Sequence, residues 1–148
     1  MHPTPPRRRT TFRHGLLGGA IATTTMTGVF SSFDLLGWVG QLPPRQIMQR
    51  LLPKQVEGRQ LNAATIIAHL GYGAMLGGAF SLITRSPTVT RGAMYGIAVC
   101  VANYEVGLPL AGIREPLHRD SPREIATLVI GHLVYGADLG RRLAGRNR

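Results

Sequence analysis

The sequence predicts an all-α, polytopic membrane protein with four transmembrane helices built from two parallel-repeat helical hairpins. Two observations carry this prediction: long stretches without charged residues, and a nine-residue window that occurs twice. Residues 69–77 read HLGYGAMLG and residues 132–140 read HLVYGADLG, with seven identical positions. Agreement of this kind indicates an internal repeat, so each window should belong to one half of the domain.

The charge-poor stretches are long enough for membrane spans. Asp, Glu, Lys and Arg are absent from two of them and reduced to a single acid in the other two; the stretches are residues 14–33, 60–84, 92–113 and 125–140. A helix needs about 20 mostly apolar residues to cross the bilayer core. The mean hydropathy of +0.06 does not oppose this prediction, because the polar tails and one long loop lower the average.

The domain organisation follows from these stretches. We expect a basic, disordered arm at residues 1–13, followed by a four-helix transmembrane domain at residues 14–148. The expected spans are residues 15–38, 61–84, 91–113 and 122–140.

The first span contains several hydroxyl side chains within its apolar sequence. Thr23, Thr24, Thr25 and Thr27 are expected to donate their hydroxyls to preceding carbonyl groups of the same helix. Trp38 then stands where an interfacial aromatic anchor belongs.

The connection to the second span, residues 41–59, leaves two alternatives open. Ile47, Leu51 and Leu52 fall on one side of a short segment bounded by prolines, which suits a helical turn or two on the outer membrane surface. The other alternative is an irregular connector. Further along, Arg85-Ser-Pro87 predicts a tight turn into the third span.

The second half carries three local signals. Pro109 lacks an N–H, so it should interrupt the third helix and deprive the Glu105 carbonyl of its partner. Ser121 and Glu124 have the spacing of a capping box at the start of the fourth helix. Asp138 precedes Arg141 and Arg142 by three and four residues, the spacing of ion pairs on a helix.

Arginine and lysine counts suggest an orientation. The termini and the middle loop carry ten of these residues, whereas the two other loops carry seven. The positive-inside rule then places both termini in the cytoplasm of a bacterial inner membrane. Anionic lipid is the expected partner of the basic termini.

Every predicted span contains two glycines four residues apart. Such pairs let helix backbones approach closely in lipid. We therefore expect a tightly packed bundle, with the alternative that one strip faces another subunit in a homo-oligomer or a larger membrane complex. The glycines are Gly15, Gly19, Gly73, Gly77, Gly92, Gly96, Gly136 and Gly140.

Ionisable side chains inside the spans are the candidates for function, because charge is costly in the membrane. The repeat suggests that Phe33-Asp34 corresponds to Tyr104-Glu105, and that the two His-x-x-Tyr-Gly motifs correspond to each other. The alternative is that the histidines and tyrosines only form hydrogen bonds that hold the helices together. The expected intramembrane cluster is Asp34, His69, Tyr72, Glu105, His132 and Tyr135.

The second half of the chain resembles the YagU-like family of bacterial inner-membrane proteins of unknown function. The resemblance rests on Pro109, Gly112 and Pro116 after an apolar segment, and on the Gly-His-Leu-Val sequence at residues 131–134 of the last span. It extends over about 55 residues and is weaker over the first two helices. It implies an inner-membrane location and supplies no reaction.

Three functions remain open at this point. The first is a module that binds, senses or conducts a proton, small ion or solute. The second is a structural or accessory subunit of a larger complex. The third is a haem- or metal-binding protein with His69 and His132 as ligands, although no predicted span carries the Glu-x-x-His pair of a di-iron bundle.

Two classes are disfavoured by the sequence. No nucleophile–base motif, phosphate-binding loop or cysteine cluster indicates an enzyme. The arginines flank the predicted spans and do not form one basic face, so nucleic acid is not an expected partner.

Overall fold

The computed structural model describes residues 11–38 and 43–145. Within them every regular element is helical, as the sequence predicts. The elements are α1 (Phe12–Leu35), α2 (Pro43–Leu51), α3 (Gly58–Ile83), α4 (Val89–Val101), a π-helix (Ala102–Gly107), α5 (Leu108–Leu110), a 3₁₀ turn (Leu117–Arg119) and α6 (Pro122–Gly145).

Three helices of the described chain are long and apolar enough to cross a membrane. They are Phe12–Leu35, Gly58–Ile83 and the continuous segment Val89–Leu110. The fourth long helix, α6, has 24 residues but is not among these candidates. The structure thus supports a helical protein with three membrane-competent helices, and the fourth span stays a prediction.

The two halves begin with the same helix cap. The Thr11 side chain accepts a hydrogen bond from the main-chain N–H of His14, and Thr88 accepts one from that of Arg91. Such N-caps satisfy one of the free N–H groups of the first turn. Helix α1 therefore starts at Phe12, inside the segment expected to be a disordered arm, while residues 1–10 lie outside the described part of the chain.

Several local predictions are confirmed. Thr23, Thr24, Thr25 and Thr27 each donate to the carbonyl four residues earlier. The Ser121–Glu124 capping box is formed in both directions.

Helices α1 and α3 run antiparallel and make their closest approach at glycines. A methyl group added to Gly15 would collide with the Gly77 carbonyl oxygen, and one added to Gly19 would collide with the Gly73 carbonyl oxygen. The hydroxyl of Thr23 fills the space beside Gly73. Backbone lies directly against backbone, which only glycine permits at these positions.

Helices α4 and α6 pack in the same manner in the second half. Gly92 lies against Gly136 and Gly140, and Gly96 lies against the His132 carbonyl and Gly136. All eight glycines of the four strips are thus in contact with a helix of the same chain. The alternative of a glycine strip facing another subunit finds no support in this packing.

The two helix pairs meet mainly through α1 and α6. Gly18 of α1 receives the side chains of Leu139 and Leu143, and Gly131 of α6 receives the ring of Phe30. By contrast, α3 and α4 meet mainly through long side chains; the rings of Phe80 and Tyr95 lie 4.9 Å apart. The pairs thus pack closely where α1 meets α6. Where α3 meets α4, the long side chains hold the helices apart and leave room between them.

The sequence predicts that Pro109 interrupts the third long helix. In the structure the helix changes its hydrogen-bond pattern before Pro109 and is not interrupted there. The chain widens into the π-helix Ala102–Gly107, in which the Leu108 N–H donates to the Asn103 carbonyl five residues back. A π turn redistributes hydrogen bonds around a residue that cannot donate one. The helix continues through Pro109 and ends at Leu110.

The structure corrects one detail of the repeat. Gly15 and Gly19 correspond to Gly92 and Gly96, an offset of 77 residues, so Phe33-Asp34 is not in register with Tyr104-Glu105. Their environments differ accordingly. Phe33 stacks on Trp38 with a ring separation of 5.1 Å, whereas Tyr104 is buried.

Replacing a glycine of a strip by alanine should destabilise the protein. For Gly77→Ala and Gly136→Ala we expect a loss of about 1 to 3 kcal/mol, because the added methyl group meets a partner backbone. Gly28→Ala and Gly71→Ala are matched helical controls, because a methyl group meets nothing within 4 Å there. Thermal unfolding in mild detergent measures the difference, and equal melting temperatures across all four variants would contradict this packing.

Candidate functional site

A cavity of about 420 Å³ lies between the two helix pairs at the end of the molecule where α1 ends and α3 begins. Its wall is largely apolar, with a few polar side chains from three helices. This combination and size are typical of binding sites for small molecules. The lining comprises Met26, Phe30, Pro44, Ile47, Met48, Leu51, Ala68, His69, Tyr72, Gly73, Leu76, Val99, Asn103, Tyr104, Leu108, His132 and Tyr135.

Helix α2 covers this cavity. The sequence left open whether the segment is a helix or an irregular connector, and the structure shows a helix of nine residues. Ile47 and Met48 are partly buried and line the cavity together with Leu51, which is otherwise exposed, while Arg50 is exposed and does not line it. The apolar face of α2 is therefore turned toward the space between α3 and α4.

His132 forms part of the cavity floor. Its side chain is buried between two rings, 6.3 Å from Phe30 and 5.5 Å from Tyr104. Its Nδ1 lies 2.8 Å from the Leu128 carbonyl oxygen of the same helix. Because a carbonyl only accepts, this contact requires a proton on Nδ1.

A tyrosine, and not a histidine, ties α6 to α3. The buried Tyr135 hydroxyl donates to the Gly73 carbonyl oxygen at 2.7 Å. His132 bonds within its own helix, so it does not lock the helices together in the way the sequence suggested as an alternative. Tyr135 thus fixes the distance between the pairs beside the cavity.

The repeated tyrosine Tyr72 has a different role. It is about half exposed and donates to the Asn103 side chain at 2.7 Å. Closer to the N-terminus of α4, Tyr95 donates to the Leu76 carbonyl oxygen at 2.9 Å. These bonds bridge α3 to the third long helix across the gap that α2 covers.

A second, more polar cleft of about 760 Å³ adjoins the cavity. Asp34 and Arg45 bring opposite charges to its wall, and Asn62 holds Arg45 through a 2.8 Å hydrogen bond from Nη1. Phe30, Pro44 and His69 line both spaces. No hydrogen bond joins the His69 ring to another residue in the described ranges.

Glu105 lies apart from the other members of the expected cluster. Its carboxylate accepts from the main-chain N–H of His118 at 2.9 Å, and its other oxygen lies 2.8 Å from Nδ1 of the same residue. It thereby joins the π-helix to the 3₁₀ turn, and it belongs to the lining of neither space. The structure brings together His69, Tyr72, His132 and Tyr135, with Asp34 in the adjoining cleft.

The ion pairs expected at the end of α6 are confirmed. Asp138 contacts Arg141 at 2.6 Å and Arg142 at 2.8 Å. The Thr25 hydroxyl of α1 lies 3.1 Å from the Asp138 carboxylate and shares its single proton between this acceptor and the Ile21 carbonyl. This acid therefore has a structural role in joining α1 to α6.

The metal hypothesis gains no further ligands. His69 and His132 line one cavity, but over residues 11–38 and 43–145 no group of three or more His, Cys, Asp or Glu side chains is arranged to hold a metal ion.

Sequence reasoning missed several residues of the site. Asn103 stands beside Tyr104 in an apolar run, and a polar amide there was a usable signal. Arg45 and Asn62 gave no such signal, because polar residues are ordinary in a loop and in the first turns of a helix. Phe30 and Met48 look like any other apolar residue of their segments.

Comparison with known proteins adds no assignment. No family model, curated protein or solved structure matches this chain. The resemblance to the YagU-like family therefore stays a prediction.

The two repeated tyrosines should differ in their contribution to stability. Tyr135→Phe should lower the free energy of unfolding by about 1 kcal/mol, because a buried hydrogen bond between α6 and α3 is lost. Tyr72→Phe should cost less, since its hydroxyl is more exposed and water can replace it. Denaturant titration of both variants in the same detergent tests this order, and an equal or larger loss for Tyr72→Phe would contradict it.

Proposed function

We propose that this protein is an integral protein of the bacterial inner membrane that binds a small apolar or amphiphilic solute beneath helix α2. The observation that carries the proposal is the cavity between α3 and the third long helix. Its apolar wall, its few polar groups and its helical cover are features of a binding site. Of the three functions that the sequence left open, this is the first, a module that binds, senses or conducts a proton, small ion or solute, with binding as its activity.

Binding fits the packing better than conduction does. A conducted ion would have to continue from the cavity to the opposite end of the bundle. There the rings of Phe80 and Tyr95 lie 4.9 Å apart between α3 and α4 and occupy that route. Glu105, the acid expected to take part in conduction, is engaged by His118.

A purely structural role through glycine faces has less support. Those faces pack against helices of the same chain, so a docked subunit would have to use other surfaces. Homo-oligomerisation through such surfaces remains a prediction.

The proposal includes α6 as a fourth span with both termini in the cytoplasm. Nine residues of α6 are buried by the rest of the protein, including Thr127, His132 and Tyr135. A helix enclosed by other helices presents little surface to lipid, so it needs less hydrophobicity than its neighbours. Its 24 residues are long enough for a span.

The topology can be tested by labelling single cysteines from each side of the membrane. In a variant whose buried Cys100 is replaced by Ala, we expect Ser86→Cys and Gly145→Cys to react from the cytoplasmic side and Lys54→Cys from the outer side. Four spans place residues 86 and 145 on one side. Labelling of residue 145 from the same side as residue 54 would show that α6 does not cross.

Filling the cavity should remove ligand binding. Ala68 lines the cavity, so Ala68→Trp should abolish retention of small molecules by the protein purified in mild detergent. Ala63→Trp is the matched control, because Ala63 is exposed on the same helix and belongs to neither lining. Native mass spectrometry of the intact protein counts retained molecules per chain.

The proposal requires a difference between these two variants. If wild type, Ala68→Trp and Ala63→Trp all retain nothing, or retain the same molecules equally, the cavity is not a binding site.

A further inference from the structure

The more polar cleft and the apolar cavity adjoin each other and have chemically different linings. Three residues from different helices, Phe30, Pro44 and His69, line both. A single molecule that passes between these residues would contact both spaces at once. Such a molecule needs an apolar portion and a polar portion, and this step rests on the binding function proposed above.

The polar part carries one charge of each sign. Asp34 and Arg45 both line the cleft, and over the described ranges no ion pair joins them or connects either one to another residue. Arg45 donates from one guanidinium nitrogen to Asn62, which leaves further N–H groups for an anion. Opposite charges that line one cleft without pairing complement a group that itself carries both signs.

Two threonine hydroxyls of the cleft, earlier in α1 than Asp34, can accept hydrogen bonds. Thr24 and Thr27 line the cleft and donate their protons to carbonyl groups of α1, so their oxygens are left as acceptors. The Asp34 carboxylate, nearer the end of α1, suits an ammonium group. Arg45 suits a phosphate, which is a common partner of guanidinium groups.

We propose that the ligand is a phospholipid with a zwitterionic headgroup. Its ammonium group lies near Asp34, its phosphate near Arg45, and part of one acyl chain enters the cavity beneath α2. Asp34 is in the last turns of α1 and Arg45 is in α2, at the end of the bundle where a span would reach the headgroup region.

Two other ligand chemistries complement the site less well. An anionic phospholipid without an ammonium group would leave the Asp34 carboxylate without a positive partner. A water-soluble zwitterion would leave the apolar cavity without a ligand group. The experiment below includes both as competitors.

The test is a competition measured by native mass spectrometry on the full-length protein. Delipidated protein is mixed with equal amounts of phosphatidylethanolamine and phosphatidylglycerol that carry identical chains. We expect wild type to prefer the zwitterionic lipid about ten-fold, the ratio typical of one charge-assisted hydrogen bond. Glycerophosphoethanolamine, which has the same head and no chains, should not compete.

Four variants assign the preference to the cleft. Asp34→Asn should abolish the preference, and Arg45→Gln should weaken binding of both lipids. Glu57→Gln and Arg59→Gln are matched controls that remove the same charges from exposed residues outside the cleft lining, and both should behave as wild type.

The outcomes separate this inference from the proposed binding function. If lipid is retained and Ala68→Trp releases it, but the preference is absent or does not respond to Asp34 and Arg45, the binding function stands and the headgroup assignment is wrong. Competition by the chain-free head would overturn the placement of the acyl chain. If no lipid binds in the competition and no molecule is retained on purification, the binding function fails and the inference fails with it.

Discussion

Close contact between helix backbones at the four glycine strips is the constraint on which the rest of the structure depends. Gly19 against Gly73 and Gly96 against Gly136 hold the helices of each half together near the middle of the bundle. A membrane offers little hydrophobic drive between helices, so this packing has to come from backbone contact. Because each pair is internally tight, the space that the fold leaves open lies between the pairs.

The two helix pairs are alike in their caps and glycine contacts but differ at the site. The caps at Thr11 and Thr88 and the glycine contacts are alike in both halves. The repeated side chains are not: Tyr135 is buried and bonds a carbonyl of α3, whereas Tyr72 is half exposed and bonds Asn103. Helix α6 packs against both α1 and α4, so its copy of the His-x-x-Tyr-Gly motif is enclosed. The copy in α3 borders the gap between α3 and α4.

The cavity depends on a segment outside the repeat. Helix α2 has no counterpart between α4 and α6, where the chain forms the 3₁₀ turn and an ion pair of 2.7 Å between Arg114 and Asp120. The inserted helix supplies apolar cover on one side and Arg45 on the other. In the function we propose, this asymmetry converts a symmetric frame into a site with an apolar and a polar part.

The sequence alone determined the helical class, three membrane-competent helices, the threonine bonds in α1, the Ser121–Glu124 capping box and the ion pairs of Asp138. The hydrogen bonds and ion pairs depend on neighbours within four residues and the membrane-competent helices on apolar composition over about 20 residues, so spacing and composition reveal them. Only the tertiary structure decided that Glu105 contacts His118, that Asp34 faces a cleft with Arg45, and that α2 covers a cavity. These contacts join residues distant in sequence, and helix periodicity contains no information about which helix lies opposite.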